Sequence, residues 1–277
     1  MIEIAWNILL YAVVFIGVIY LAGGLGWVCN CLFLRLMGDV GYRAVFVTSM
    51  IGTPIHELAH AIACIIFGHK IDGIKLLSFD PENPVLGYVK HRYDKHSIYQ
   101  RIGNFFIGLA PIYGGCAVLL LGLFLLPGGF QGVVQAFSLQ ESIAVENFFP
   151  ELSVSLLGFY QYFFSLESVG YWGWWVYLVI GLCIALHINI SKEDLKGSLS
   201  GLLFVLIVIS LFNLICGLIS MPFLHQCNAY VIAYAAFMCV FLSLAVMFSF
   251  ILVFIALLCF AVRRIVLAVK QRKGSIS

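Results

Sequence analysis

The chain has 277 residues, of which 63% are hydrophobic, 15% aromatic and only 10% charged, and its mean hydropathy is +1.07. Soluble domains run at about 45–50% apolar and about 25% charged, so the composition excludes a water-soluble globular protein and a disordered one. A net charge of +2 with no basic domain likewise excludes a nucleic-acid partner.

At roughly 20 residues per span plus connections, the chain has room for about six membrane helices and no large soluble domain. Apolar runs predict spans at 4–22, 46–67, 102–126, 172–189, 198–222 and 229–262, the last longer than a bilayer needs. Gly23, Gly24 and Gly26 follow the first run, and Trp27 to Met37 reads as a helix extension, an interfacial helix or a short re-entrant piece. Met1-Ile2-Glu3 lacks a basic leader region and the first apolar run is span-length, so no cleavable signal peptide is expected. No internal repeat or linker divides the chain. The expected fold is an all-α polytopic membrane protein, one domain over 1–277, with the lipid bilayer as its solvent.

Lys and Arg set the expected orientation. Segment 68–101 carries Lys70, Lys75, Lys90, Arg92, Lys95 and Arg101; the turn near 190–197 carries Lys192 and Lys196; the tail 263–277 carries Arg263, Arg264, Lys270, Arg272 and Lys273. The loop 127–171 has no Lys or Arg, only Glu141, Glu146, Glu151 and Glu167, and is rich in aromatics. With six spans the basic regions and both termini fall on the cytoplasmic side, against which only Arg35 and Arg43 dissent. The loop 127–171 then lies in the outer interface, and the compact form points to a prokaryotic cytoplasmic membrane. Within 68–101, Lys70–Phe79 and Val85–Lys90 read as strands around the turn Asp80-Pro81-Glu82-Asn83-Pro84, a short cytoplasmic β-hairpin after the second span.

Nine cysteines are present. Cys64, Cys116, Cys183, Cys216, Cys239 and Cys259 sit in apolar runs, where cysteine packs as a small hydrophobe. Cys29 and Cys31 form a Cys-x-Cys pair with no second pair nearby, and the odd total argues against a disulfide framework.

The second span contains His56-Glu57-Leu58-Ala59-His60. Histidines at i and i+4 share one helix face, so both imidazoles reach one zinc ion, and Glu57 beside them can serve as general base. A carboxylate at membrane depth costs several kcal/mol unless paired or solvated, and this one has no evident packing role. A catalytic zinc takes three protein ligands and a water. The third must lie on the side of His56 and His60, about 10–18 Å from the cytoplasmic end of the span. Asp194, where the fifth span starts, is the favoured ligand and His187 the runner-up. A first-turn helix carboxylate is the plainer reading of Asp194. His69, His91, Asp94 and His96 belong to the cytoplasmic segment and are expected to lie too far out.

In this stretch the chain resembles the site-2 proteases, zinc metalloproteases that cut within the membrane. The resemblance covers residues 50–115, including Gly103-Asn104-Phe105-Phe106-Ile107-Gly108-Leu109-Ala110-Pro111, and more loosely 187–201. Asp194-Leu195-Lys196-Gly197 stands where that family carries Leu-Asp-Gly, but the glycine comes three positions later. The resemblance implies hydrolysis of peptide bonds in single-pass membrane-protein substrates, with Zn2+ held by His56, His60 and Asp194. Asn104, Asn189 and His187 remain open as donors to the oxyanion. Two alternatives stand beside it: an inactive scaffold that binds a helix without cutting it, and a metal-transit protein using the same histidines.

Overall fold

The computed structural model describes residues 2–79, 85–126 and 148–274. The predicted turn Asp80–Pro84 and residues 127–147 of the predicted outer loop lie outside the described residues.

Helix α1 (Ile2–Ala12), a π-helical turn (Val13–Gly17) and α2 (Val18–Met37) follow one another as a single helical run. Of the three readings of 23–37, helix extension is the one observed. Gly38, at φ 57°, ends the run, and α3 (Asp39–Ile66) begins at once. It starts well before the apolar run at 46, with Asp39 complementing the amide dipoles of its first turn.

Strands β1 (Lys70–Lys75) and β2 (Tyr88–Arg92) form the expected antiparallel hairpin, running from Lys70↔Arg92 to Lys75↔Tyr88 with a bulge between Ile71 and Gly73. Helix α4 (Ile98–Gly122) is capped by Ser97, whose Oγ accepts the Gln100 N–H, and runs into a 3-10 turn at Leu123–Leu125. Then come α5 (Phe148–Phe163), α6 (Leu166–Gly170), α7 (Trp172–Ala185), α8 (Lys192–Ile219) and α9 (Met221–Gly274).

Among the described residues, five helices are long and apolar enough to cross a membrane: Val18–Met37, Asp39–Ile66, Ile98–Leu125, Lys192–Ile219 and Met221–Gln271. The predicted span at 172–189 is instead the 14-residue α7, short of the roughly 20 residues a crossing needs. The predicted run 229–262 is the middle of α9, whose 54 residues extend about 80 Å at 1.5 Å per residue.

Helix α4 is the centre of the assembly and packs on α3 and α8, while α2 packs on α9. Phe105, Leu109, Ile112 and Cys116 of α4 share a core with Tyr177 and Ile184 of α7 and Phe248 of α9. The outer face of α8, with Leu203, Leu211, Ile215 and Leu218, is exposed and apolar. Such a face would be an aggregation surface in water but is at home against lipid. Between α4 and α8 the backbones nearly touch. A Cβ on Gly201 would stand 2.5 Å from the Phe105 nitrogen, and one on Gly108 would stand 2.7 Å from the Ser198 nitrogen. Small residues allow this approach, the usual means of packing helices where lipid offers no hydrophobic drive. This contact sets where α8 begins, and hence where its first-turn carboxylate lies.

Candidate metal centre

His56, Glu57 and His60 project from the last three turns of α3, and Asp194 from the first turn of α8. One ligand atom from each of His56, His60 and Asp194 lies within 4.8 Å of the others. His60 Nε2 is 3.2 Å from His56 Nε2 and 3.2 Å from Asp194 Oδ1, while His56 Nε2 is 3.8 Å from Asp194 Oδ2. The favoured third ligand is thus brought to the pair.

Backbone carbonyls orient both rings. His56 Nδ1 donates to the carbonyl of His187 at 2.7 Å, and His60 Nδ1 donates to the carbonyl of Ile107 at 2.8 Å. A carbonyl only accepts, so each neutral ring carries its proton on Nδ1 and turns a bare Nε2 lone pair inwards. Each acceptor is free for a local reason. Pro111 has no N–H, so the Ile107 carbonyl four residues before it lacks its ordinary helical donor. The carbonyl of His187 lies just past the C-terminus of α7, where helical acceptors go unused.

Asp194 serves two masters at once. Its Oδ2 accepts the Ser191 N–H at 3.0 Å while Ser191 Oγ accepts the Asp194 N–H at 3.0 Å, a capping box that holds the carboxylate in place. The capping role leaves Oδ1 to face His60 and so does not conflict with Asp194 serving as a ligand. Two imidazole nitrogens and a carboxylate thus converge, a group of donors that could hold a metal ion.

The other candidates separate cleanly. The ring of His187 points away from this centre, with Nε2 3.1 Å from Thr48 Oγ1 and Nδ1 3.4 Å from Thr53 Oγ1. His187 supplies the carbonyl that holds His56, and it also lines the smaller cavity together with His56, Glu57 and Asn189. Asn104 is buried in α4 and lines neither of the two cavities at the centre. Asn189 does line one, beside His56 and Glu57, with its Nδ2 donating to the Leu186 carbonyl at 3.2 Å.

Those cavities, about 450 and about 360 Å³, adjoin at His56, Glu57, Gly87 and Ser191. Glu57, only 7% exposed, lies where they meet. The chain leading into β2 covers it closely: a Cβ on Gly87 would stand 2.8 Å from Glu57 Cγ, 2.8 Å from Thr53 Cγ2 and 3.0 Å from the Leu76 carbonyl. Val85 to Val89 form one wall of the larger cavity and His91 contributes to it as well. His91 comes to the cavity wall because the hairpin folds back over the end of α3, but it stands outside the group of His56, His60 and Asp194. Spacing along the chain carries no sign of that fold-back.

In comparisons with known proteins, no protein-family model, curated protein or solved structure matches the chain.

Proposed function

We propose that this protein is a zinc metalloprotease of the membrane, acting on peptide bonds in or near the membrane segment of single-pass substrates, as its resemblance to the site-2 proteases implies. The observation that carries the reading is the convergence of two Nδ1-anchored histidines and a cap-anchored aspartate beside a buried glutamate. His56, His60 and Asp194 are the residues that would hold the metal. The chemistry zinc supplies in such a site is a water acidified towards pKa about 7 and a polarised carbonyl.

The protein groups do the rest. Glu57 takes the proton of the attacking water and delivers it to the leaving amine, so the step is neutral overall. Burial of Glu57 beneath Gly87 keeps competing solvent away from that proton. Asn189 lines the smaller cavity and would be the donor that meets negative charge on the carbonyl oxygen, through the Nδ2 hydrogen not given to Leu186. The hairpin wall at Val85–Val89 offers an extended main chain along which an unwound substrate can pair. The hairpin and the C-terminal tail would face the cytoplasm, in keeping with the basic residues of 68–101 and 263–277.

The test is made in cells producing the full chain or its Glu57→Gln variant. New peptide termini in single-pass membrane proteins, mapped by terminal labelling of the membrane fraction, are expected with the wild type and absent with the variant. Identical sets of termini in both would overturn the protease.

A further inference from the structure

One helical turn beyond His60, the same face of α3 presents Cys64, which is fully buried. The helix ends at Ile66, Gly68 turns the chain at φ 68°, and His69 is carried back against the helix end, only 5% exposed. Strand β2 returns His91 opposite Ile71, so that His91 Nδ1 lies 3.0 Å from His69 Nδ1. The Cys64 thiol and one nitrogen from each histidine all lie within 4.8 Å of one another.

We propose that Cys64, His69 and His91 form a second metal site, for a thiophilic divalent ion of the zinc class, that fastens the hairpin to α3. The proton arrangement favours it. His69 Nε2 donates to the carbonyl of Gln100 at 2.8 Å, which leaves Nδ1 of the neutral ring as a bare lone pair aimed at His91. Metal-ligating histidines are usually held in this way, with the other ring nitrogen donating to a backbone carbonyl that fixes the tautomer and the ring orientation. The ring of Tyr93 stacks on His69 at 5.2 Å and fixes its plane. One thiolate and two imidazoles select zinc or a similar ion over magnesium and calcium, which require oxygen. Binding displaces the thiol proton of Cys64 to solvent and moves the His91 proton off Nδ1.

The consequence concerns the neighbouring centre. His91 belongs to the strand whose approach, from Val85 to Val89, walls the cavity at Glu57. A metal bridging His91 to Cys64 ties that wall to the helix that carries His56 and His60. The site shares no ligand with the first and does not depend on proteolysis.

Cobalt distinguishes the two, because only this site contains sulfur. The full chain, purified in detergent, stripped with a chelator and reloaded with Co2+, is expected to show a thiolate-to-cobalt charge-transfer band in the near ultraviolet. The band is expected to survive Asp194→Ala and to vanish in Cys64→Ser and in His91→Gln, the second variant removing a ligand from the hairpin without touching the helix interior. Metal content is expected to fall by one ion per chain in each of the three variants. A wild type without the band, or a band that persists in Cys64→Ser, would overturn the proposal. Loss of the band in Cys64→Ser together with unchanged metal content in Asp194→Ala would leave this site standing and remove the first.

Discussion

The Nδ1 of His60 donates to the carbonyl of Ile107 at 2.8 Å, and that carbonyl is available because Pro111 stands where its helical donor would be. A residue that costs an interior helix about 3 kcal/mol is thereby spent on orienting a ligand one helix away. Pro111→Ala should restore an N–H to compete for Ile107. The expected outcome is a zinc affinity about 10–100-fold weaker with thermal stability unchanged or raised, read by competition with a chromophoric chelator. Equal affinity in the variant would show that the proline does not matter to His60.

Gly108 fixes Asp194 by proximity. An added methyl would run into the Asp194 carbonyl oxygen and stand 2.7 Å from the Ser198 nitrogen, both backbone atoms that cannot swing aside. Gly108→Ala should force α8 away from α4 at a cost of about 1–3 kcal/mol and lower metal content along with the melting temperature. Gly197→Ala is the control, since nothing lies within 4 Å of its Cβ position. That substitution should gain up to about 1 kcal/mol of helix propensity and keep the metal.

Glu57 and Gly87 form one unit. Glu57→Gln is expected to lower cleavage by about 10²–10⁴-fold while metal content stays at the wild-type value, as befits a proton carrier that is not a ligand. Gly87→Ala presses a methyl on Glu57 Cγ and on Thr53, and should also depress cleavage without releasing metal. Metal loss in Glu57→Gln, measured by elemental analysis, would assign Glu57 to the ligand shell instead, and metal loss in Gly87→Ala would show that the added methyl disturbs the ligands themselves.

Acid should loosen the hairpin in the chelator-treated protein. Burial holds the His69 imidazole below its ordinary value of 6.5, and burial, then neighbouring His69, does the same to His91. Both therefore take up a proton less readily when folded, and below about pH 6.5 the unfolded chain binds more protons than the folded one. The associated stability is present above that value and is lost as pH falls through it. The melting temperature of the metal-free wild type should drop more between about pH 7.5 and about pH 5.5 than that of His69→Gln. Parallel drops would rule out these histidines as the source.

Some of this molecule is determined by residues that are near one another in the chain. The apolar runs dictate membrane helices, since lipid leaves backbone groups no partner but each other. His56, Glu57 and His60 are legible because positions i and i+4 share a helix face whatever surrounds them. The hairpin is likewise written in its alternating segments. What required the folded chain is every partnership across helices. Asp194 joins the histidines only because glycines let α4 and α8 touch, His187 holds His56 through its carbonyl and stands outside the ligand group, and Asn189 reaches the cavity where Asn104 does not. Cys64 and His91 meet because a bulged hairpin folds back over the end of α3. Local periodicity fixes which face a side chain occupies, but the neighbour across that face is chosen by packing between segments distant in sequence, and only the tertiary structure carries that information.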